Sequence, residues 1–211
     1  MIEVILCDDH ALIRRGIRET LSEAVDIRVV GEAAEYGELR SLMRKTDCDV
    51  LVLDINLPGR SGLDLLRVLK DEGNPVKVLI VSMYPEDQYA IRALRGGAQG
   101  YVNKAGDPQL IVHAVRTVAQ GRKYVTPEIA QMLVESLTAP TAQQAHDTLS
   151  DRELQTLTMI ASGKRLSDIA LELSLSPKTV SVYRARVLQK LGLSNNSELT
   201  VYAVRNGLVG Q

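Results

Sequence analysis

Tryptophan and phenylalanine are absent from this 211-residue chain, and its aromatic content is seven tyrosines, so its cores must be aliphatic. Cysteine is nearly absent. Only Cys7 and Cys48 occur, which excludes a disulfide scaffold and suits a reducing cytosol. Long apolar runs are also missing: the run at 76–81 is strand-length and interrupted by Lys77, far short of the roughly 20 residues a membrane helix needs. The first ten residues, Met-Ile-Glu-Val-Ile-Leu-Cys-Asp-Asp-His, have no basic segment and end their apolar run on two acids. They read as a first strand and not as a signal peptide. Neither sign of charge dominates, with 25 basic and 26 acidic side chains.

The charge is unevenly placed. Residues 148–211 hold 8 basic and 5 acidic side chains, a net of +3, behind a mildly acidic body. Such a tail points to a polyanionic partner for that part alone. The first 120 residues alternate β-rich apolar runs (Glu3–Cys7, Arg28–Gly31, Val50–Leu53, Val76–Val81, Gly100–Val102) with helix-periodic segments (Ala11–Ala24, Tyr36–Lys45, Gly62–Asp71, Asp87–Arg95, Pro108–Ala119). Five strands alternating with five helices predict an α/β doubly wound five-stranded parallel sheet over 1–122. Residues 123–147 read as a linker with one helix, opened by Thr126-Pro127-Glu128 and followed by the small, polar stretch Thr138–Ala145. Residues 148–211 read as an all-α four-helix unit. Ser150-Asp-Arg-Glu153 is a capping box, Ser167 a cap for a short helix, Ser174-Leu175 a turn, and Ser176-Pro177 the start of a helix that stops at Gly192. Two helices about a short turn predict a helix-turn-helix.

A doubly wound sheet binds ligands at the carboxyl ends of its strands. Read in order, those ends supply Asp8-Asp9, Asp54, Ser82 and Lys104. Three converging carboxylates repel one another unless a cation sits among them, and hard oxygen donors suit Mg²⁺. A lysine and a hydroxyl at the rim suit phosphate oxygens, so the crevice could receive a phosphoryl group on a carboxylate. No P-loop or G-x-G-x-x-G follows the first strand, which disfavours nucleotide binding. An aspartyl phosphatase of the HAD type would need a second Asp two residues after Asp54, where this chain has Asn56.

The set Asp8-Asp9, Asp54-x-Asn56-x-Pro58, Gly62, Ser82 and Tyr101-Val-Asn-Lys104 resembles the flavodoxin-like receiver domain of two-component response regulators. Leu149-Ser-Asp-Arg-Glu153, Ser176-Pro-Lys-Thr-Val180 and Lys190-Leu-Gly-Leu193 resemble a LuxR-type helix-turn-helix, and together the two resemble the NarL/FixJ class. The resemblance implies that Asp54 accepts a phosphoryl group from a sensor histidine kinase. It implies that Asp8, Asp9, Asp54 and the carbonyl of Asn56 hold Mg²⁺, and that Lys104 and Ser82 contact the phosphoryl oxygens. Tyr101 would be the aromatic switch, its ring filling space that Ser82 vacates. Ala105 departs from the family, which often has proline after the lysine.

On the helix from Pro177, 100° per residue places Val180, Val187 and Leu191 on one face, with Tyr183 and Leu188 flanking it. The opposite face holds Lys178, Ser181, Val182, Ala185 and Gln189. The outward face of the second helix enters the major groove, so Lys178, Ser181, Val182 and Ala185 are candidate base readers. Lys178, Thr179, Arg186 and Lys190 are candidates for phosphate contacts. Ser181 and Ala185 stand where the family often has lysine, which predicts reliance on shape or the thymine methyl. Glu153 is expected to pair with a basic side chain such as Arg184. His10, His113 and His146 have no metal spacing and are taken as structural or surface residues. The reading is a cytoplasmic, non-enzymatic transcription regulator that dimerises on phosphorylation or on DNA and has no membrane contact. Its rival is a constitutive DNA-binding regulator whose receiver serves only for docking or dimerisation.

Overall fold

The computed structural model describes residues 1–138 and 144–209, and the chain forms two compact units divided after Thr138. The first is built from β1 (Ile2–Cys7), α1 (Ala11–Ser22), β2 (Ile27–Ala33), α2 (Tyr36–Met43), β3 (Val50–Leu53), α3 (Gly62–Asp71), β4 (Lys77–Ser82), α4 (Glu86–Gly96), β5 (Gly100–Asn103), α5 (Gln109–Ala119) and α6 (Pro127–Thr138). All five strands are parallel, in the order β2-β1-β3-β4-β5. The order reverses between β1 and β3, the place where such sheets open a ligand crevice.

Alternation along the strands explains why helices cover both faces. Val4, Leu6, Val50, Val52, Leu79 and Val81 join a buried cluster with Ile17 and Leu21 of α1 and Ile111, Val115 and Val118 of α5. Their neighbours Ile5, Leu51, Leu53 and Ile80 are equally buried and point the other way. β3 has no exposed residue, as a fully covered parallel strand requires. No phenyl or indole ring is needed. β4 runs one residue beyond its apolar stretch, so Ser82 is its last residue and not a loop residue.

α6 joins the first unit. Thr126 caps it through Oγ1, which accepts from the Ile129 amide at 3.3 Å and donates to Glu86 Oε2 of α4 at 2.9 Å. Ile129 is fully buried, and α6 packs along α4. The helix expected within the linker 123–147 therefore belongs physically to the sheet unit. Most of the stretch expected as its polar part, Thr138–Ala145, lies outside the described residues.

The second unit holds a single 3₁₀ turn (Ala145–Thr148), then α7 (Asp151–Ala161), α8 (Leu166–Glu172), α9 (Pro177–Leu191) and α10 (Asn196–Arg205). α7 packs against α9 and α10, and α8 against α9. The capping box is present: Ser150 Oγ accepts from the Glu153 amide, and Glu153 accepts from that of Ser150 at 2.8 Å. Ser167 does not cap α8; the cap position is Arg165, and the Ser167 hydroxyl donates to Asp168 instead. Ser174, at φ 52°, makes the left-handed turn between α8 and α9. Gly192, at φ 66°, ends α9 where a side chain would be strained.

Candidate functional site: an acid cluster and an exposed helix

The carboxyl ends of β1, β3, β4 and β5 bring the expected residues together. Lys104 Nζ lies 2.7 Å from Asp8 Oδ2 and 2.9 Å from Asp54 Oδ2, and all three side chains are at most 5% exposed. Asp8 Oδ1 accepts from the amide of His10 at 2.8 Å. Arg14 Nη1 donates to the main-chain oxygen of Asp8 at 2.5 Å, which fixes the end of β1. Asp8, Asp9, Asp54 and His10 each offer a ligand atom, and these atoms lie within 4.8 Å of one another. This group can hold a metal ion. His10 was not expected here: lone in sequence, it enters the cluster because it follows the strand-end acids directly.

Burial is the main influence on Asp54 and pushes its carboxyl up, to about 6. The Lys104 ammonium opposes this, Asp8 adds to it, and the Asn56 amide favours the charged form. Asn56 is half-buried beside Asp54, where its main chain was expected to serve. The loop after β3 folds back tightly, and Gly62 N donates to Ile55 O at 2.8 Å. A Cβ on Gly62 would stand 1.9 Å from the Asp54 carbonyl oxygen. Gly62→Ala is therefore expected to cost about 3 kcal/mol. Thermal melts should show the loss. An unchanged melt would contradict this reading of the loop.

Ser82 is buried at the end of β4, where its Oγ accepts from the Tyr84 amide at 3.3 Å. Tyr101 is fully buried, with its hydroxyl bonded to Ser82 and donating to the Tyr84 carbonyl at 2.7 Å. Asn103 Nδ2 donates to the same carbonyl at 3.3 Å. The ring therefore already occupies the inward position while Ser82 stands where it does. The Lys104–Ala105 bond is trans, as are all described peptide bonds.

In the second unit, α9 turns the expected faces in and out. Val180 and Val187 are fully buried, while Lys178, Ser181, Val182, Ala185, Arg186 and Lys190 are exposed and Thr179 is half-buried. Ser176 Oγ caps the Thr179 amide at 3.0 Å, and the Ser181 hydroxyl donates to the Pro177 carbonyl at 2.9 Å. Its lone pairs alone remain for an outside donor. Lys190 Nζ donates to Glu153 Oε2 at 2.7 Å and to the Thr148 carbonyl at 3.1 Å. The expected partner of Glu153, Arg184, bonds Asn196 instead. Burial raises the Glu153 carboxyl, but the Lys190 ammonium and the Ser150 cap outweigh it and hold the group below the usual range. Lys178 and Arg186 make no ion pair among the described residues, so their charge is fully available.

A doubly wound sheet with a strand-end acid cluster and a lysine between its carboxylates, followed by a helix-turn-helix, defines a receiver joined to a DNA-binding module. The comparisons agree. Residues 4–116 match the response regulator receiver domain family, and residues 147–203 match the luxR family of bacterial regulatory proteins. The chain is 37% identical to the response regulator UvrY of Escherichia coli K12 over 209 residues, covering 99% of this chain and 96% of that one. It is 38% identical to the response regulator GacA of Pseudomonas protegens, over 99% of this chain and 98% of that protein. Among solved structures it resembles RcsB of Salmonella enterica serovar Typhimurium bound to promoter rprA with the phosphomimetic BeF₃⁻. That match has a TM-score of 0.64 and 25% identity, over 95% of this chain and 97% of that one. The chain belongs to the two-component response regulators, with a receiver domain and a LuxR-type DNA-binding domain, the NarL/FixJ class. Among the described residues, no helix is long and apolar enough to cross a membrane.

Proposed function

We propose that Asp54 accepts the phosphoryl group and that this modification controls DNA binding by α9. The single observation that carries the reading is the buried Asp8–Lys104–Asp54 arrangement at the sheet's switch point, since it sets a fixed cation beside a carboxylate. Asp8, Asp9, Asp54 and the main chain of Asn56 would hold Mg²⁺, whose preference for a few carboxylates and several waters fits this oxygen-rich, half-open site. When bound, the ion neutralises charge that builds on the incoming phosphoryl oxygens. Lys104 orients one of those oxygens, and the Ser82 hydroxyl meets another.

The proposed functional division is a receiver over 1–122, a connecting segment over 123–147 and a DNA-binding unit over 148–211. The donor is a sensor histidine kinase, and the target is duplex DNA read by a homodimer. DNA as target places the chain in the cytoplasm, acting as a regulator and not as an enzyme. Lys178, Ser181, Val182 and Ala185 face the bases, while Lys178, Thr179 and Arg186 meet phosphates. Lys190 reaches phosphate only from the margin of its pairing with Glu153.

Coupling runs through Ser82. Its hydroxyl now serves Tyr84 and Tyr101, and a phosphoryl group competes for it. Because Tyr101 and Asn103 share the Tyr84 carbonyl, drawing Ser82 toward Asp54 biases the loop before α4, and α6 rides on α4. Such a two-state element needs a bias of only a few kcal/mol.

Incubation with acetyl phosphate and Mg²⁺ should add one phosphoryl mass to the intact chain, and Asp54→Asn should add none. Labelling of that variant would place the acceptor elsewhere. Ser82→Ala should still accept the group but transmit less of the gain in operator affinity. Full gain in that variant would remove Ser82 from the route.

A further inference from the structure

The outward row of α9 carries short side chains, and one of them offers a single kind of polar group. Ser181, Val182 and Ala185 are exposed, and none has a heavy atom more than one bond beyond Cβ. Nothing on that row holds the helix off a surface, so its side-chain atoms can come within hydrogen-bond reach of base edges. The Ser181 hydroxyl donates its hydrogen to the Pro177 carbonyl at 2.9 Å, one helical turn back. What remains outward is an oxygen with lone pairs and no proton to offer. Donating that hydrogen also polarises the oxygen and makes it a better acceptor. Other acceptors are scarce on this helix. α9 contains no Asp or Glu, and the half-buried Thr179 hydroxyl is engaged with Ser176 Oγ at 2.8 Å. Gln189 lies about two turns further along.

We propose that Ser181 selects a base bearing an exocyclic amino group, adenine or cytosine, at one position of each half-site and rejects guanine and thymine there. The inference rests on the reading of α9 as the DNA-reading helix and names what one of its side chains reads. In the major groove adenine N6 and cytosine N4 are donors, whereas guanine N7 and O6 and thymine O4 are acceptors. An oxygen that can only accept bonds the first pair of bases and meets the lone pairs of the second. Turning the hydroxyl to donate to guanine or thymine would break its bond to Pro177, so the wrong base also loses a bond within the helix. Every base pair carries one amino group on its major-groove edge, so what is read is the strand that supplies it. A·T and C·G are accepted in one orientation, and T·A and G·C are refused.

Selection of random duplexes by the full-length chain, treated with acetyl phosphate and Mg²⁺, should enrich adenine and cytosine together at one symmetry-related position of each half-site. Ser181→Ala should lose that preference and no other, with an unchanged melting temperature. Ser181→Thr, which keeps an acceptor bonded to the same carbonyl, should retain it. On the best selected site, an analogue lacking the amino group (purine for adenine, pyrimidin-2-one for cytosine) should lower the native chain's affinity about fivefold more than that of Ser181→Ala. A preference for guanine or thymine at the position that Ser181→Ala alters, or equal losses from the analogue in both chains, would overturn the inference while DNA binding by α9 stands. If the native chain selects no sequence and Val182→Asp binds DNA as well as it does, the reading of α9 falls and this inference falls with it.

Discussion

Val182→Asp is expected to lower specific DNA affinity by about 100-fold or more while leaving the melting temperature unchanged. Val182 is 44% exposed on the outward face of α9, so its replacement removes no core contact. On DNA the new carboxylate would face base edges between phosphate walls, where it repels the backbone and loses hydration without gaining a partner. One lost base contact is worth about 1–3 kcal/mol, and the repulsion adds to it. The contrast lies five residues on. Val187 is fully buried, and Val187→Asp should unfold the second unit outright. Fluorescence anisotropy on operator DNA, with melts of both variants, separates the two effects. Retained affinity in Val182→Asp would mean that α9 does not enter the groove by this face. Residual binding should keep a steep salt dependence, because Lys178 and Arg186 still release counterions.

The second large effect lies at Lys104. Its ammonium is the fixed positive charge between Asp8 and Asp54, buried with both. Lys104→Met leaves two buried carboxylates facing each other, and breaking a buried pair in this way costs about 3–5 kcal/mol. In EDTA the melting temperature of the first unit should fall by about 10 °C. The pH dependence has a definite sign. Asp54 titrates at about 6 in the folded chain against an ordinary 3.8, because burial disfavours its charge. A group raised in this way stabilises the fold fully below its unfolded value, and that contribution is lost as pH climbs through the folded value. Removing the lysine raises the folded value further, since the ammonium was lowering it. The deficit of the variant should therefore shrink as pH falls from about 8 to about 5, and Mg²⁺ should also reduce it. A variant as stable as the native chain in EDTA at neutral pH would show that Lys104 does not balance the cluster.

How much of this was legible in the sequence depends on whether the cause was local. The strand ends were readable because runs such as Val50–Leu53 are apolar throughout and stop at an acid. Ser82 and Lys104 followed from the same reading, since a parallel sheet delivers all its carboxyl ends to one edge. The two faces of α9 were readable from helical spacing alone. Long-range choices were not. Glu153 could pair with any base on α9, and the crossing of α7 over α9 selected Lys190 instead of Arg184. The attachment of α6 to α4 was hidden because a helix's own pattern shows that it has an apolar side but not what covers it. The inward ring of Tyr101 depends on the Tyr84 carbonyl, whose position no side-chain pattern encodes. His10 has no metal spacing to other histidines or cysteines, and only the fold sets it and the adjacent Asp8-Asp9 beside Asp54.

The measurement that bears most directly on the account is the affinity of the full-length chain for a two-half-site operator, with and without acetyl phosphate and Mg²⁺, beside the Asp54→Asn variant under the same conditions. Joining two weak half-site contacts in one dimer raises avidity by about 10²–10⁴ through effective concentration. The account predicts a gain within that range for the native chain, accompanied by a shift to dimer in sedimentation, and no gain for Asp54→Asn. Equal affinity in the modified and unmodified native chain, at full phosphorylation by intact mass, would contradict it and leave a constitutive DNA-binding protein whose receiver serves only for docking.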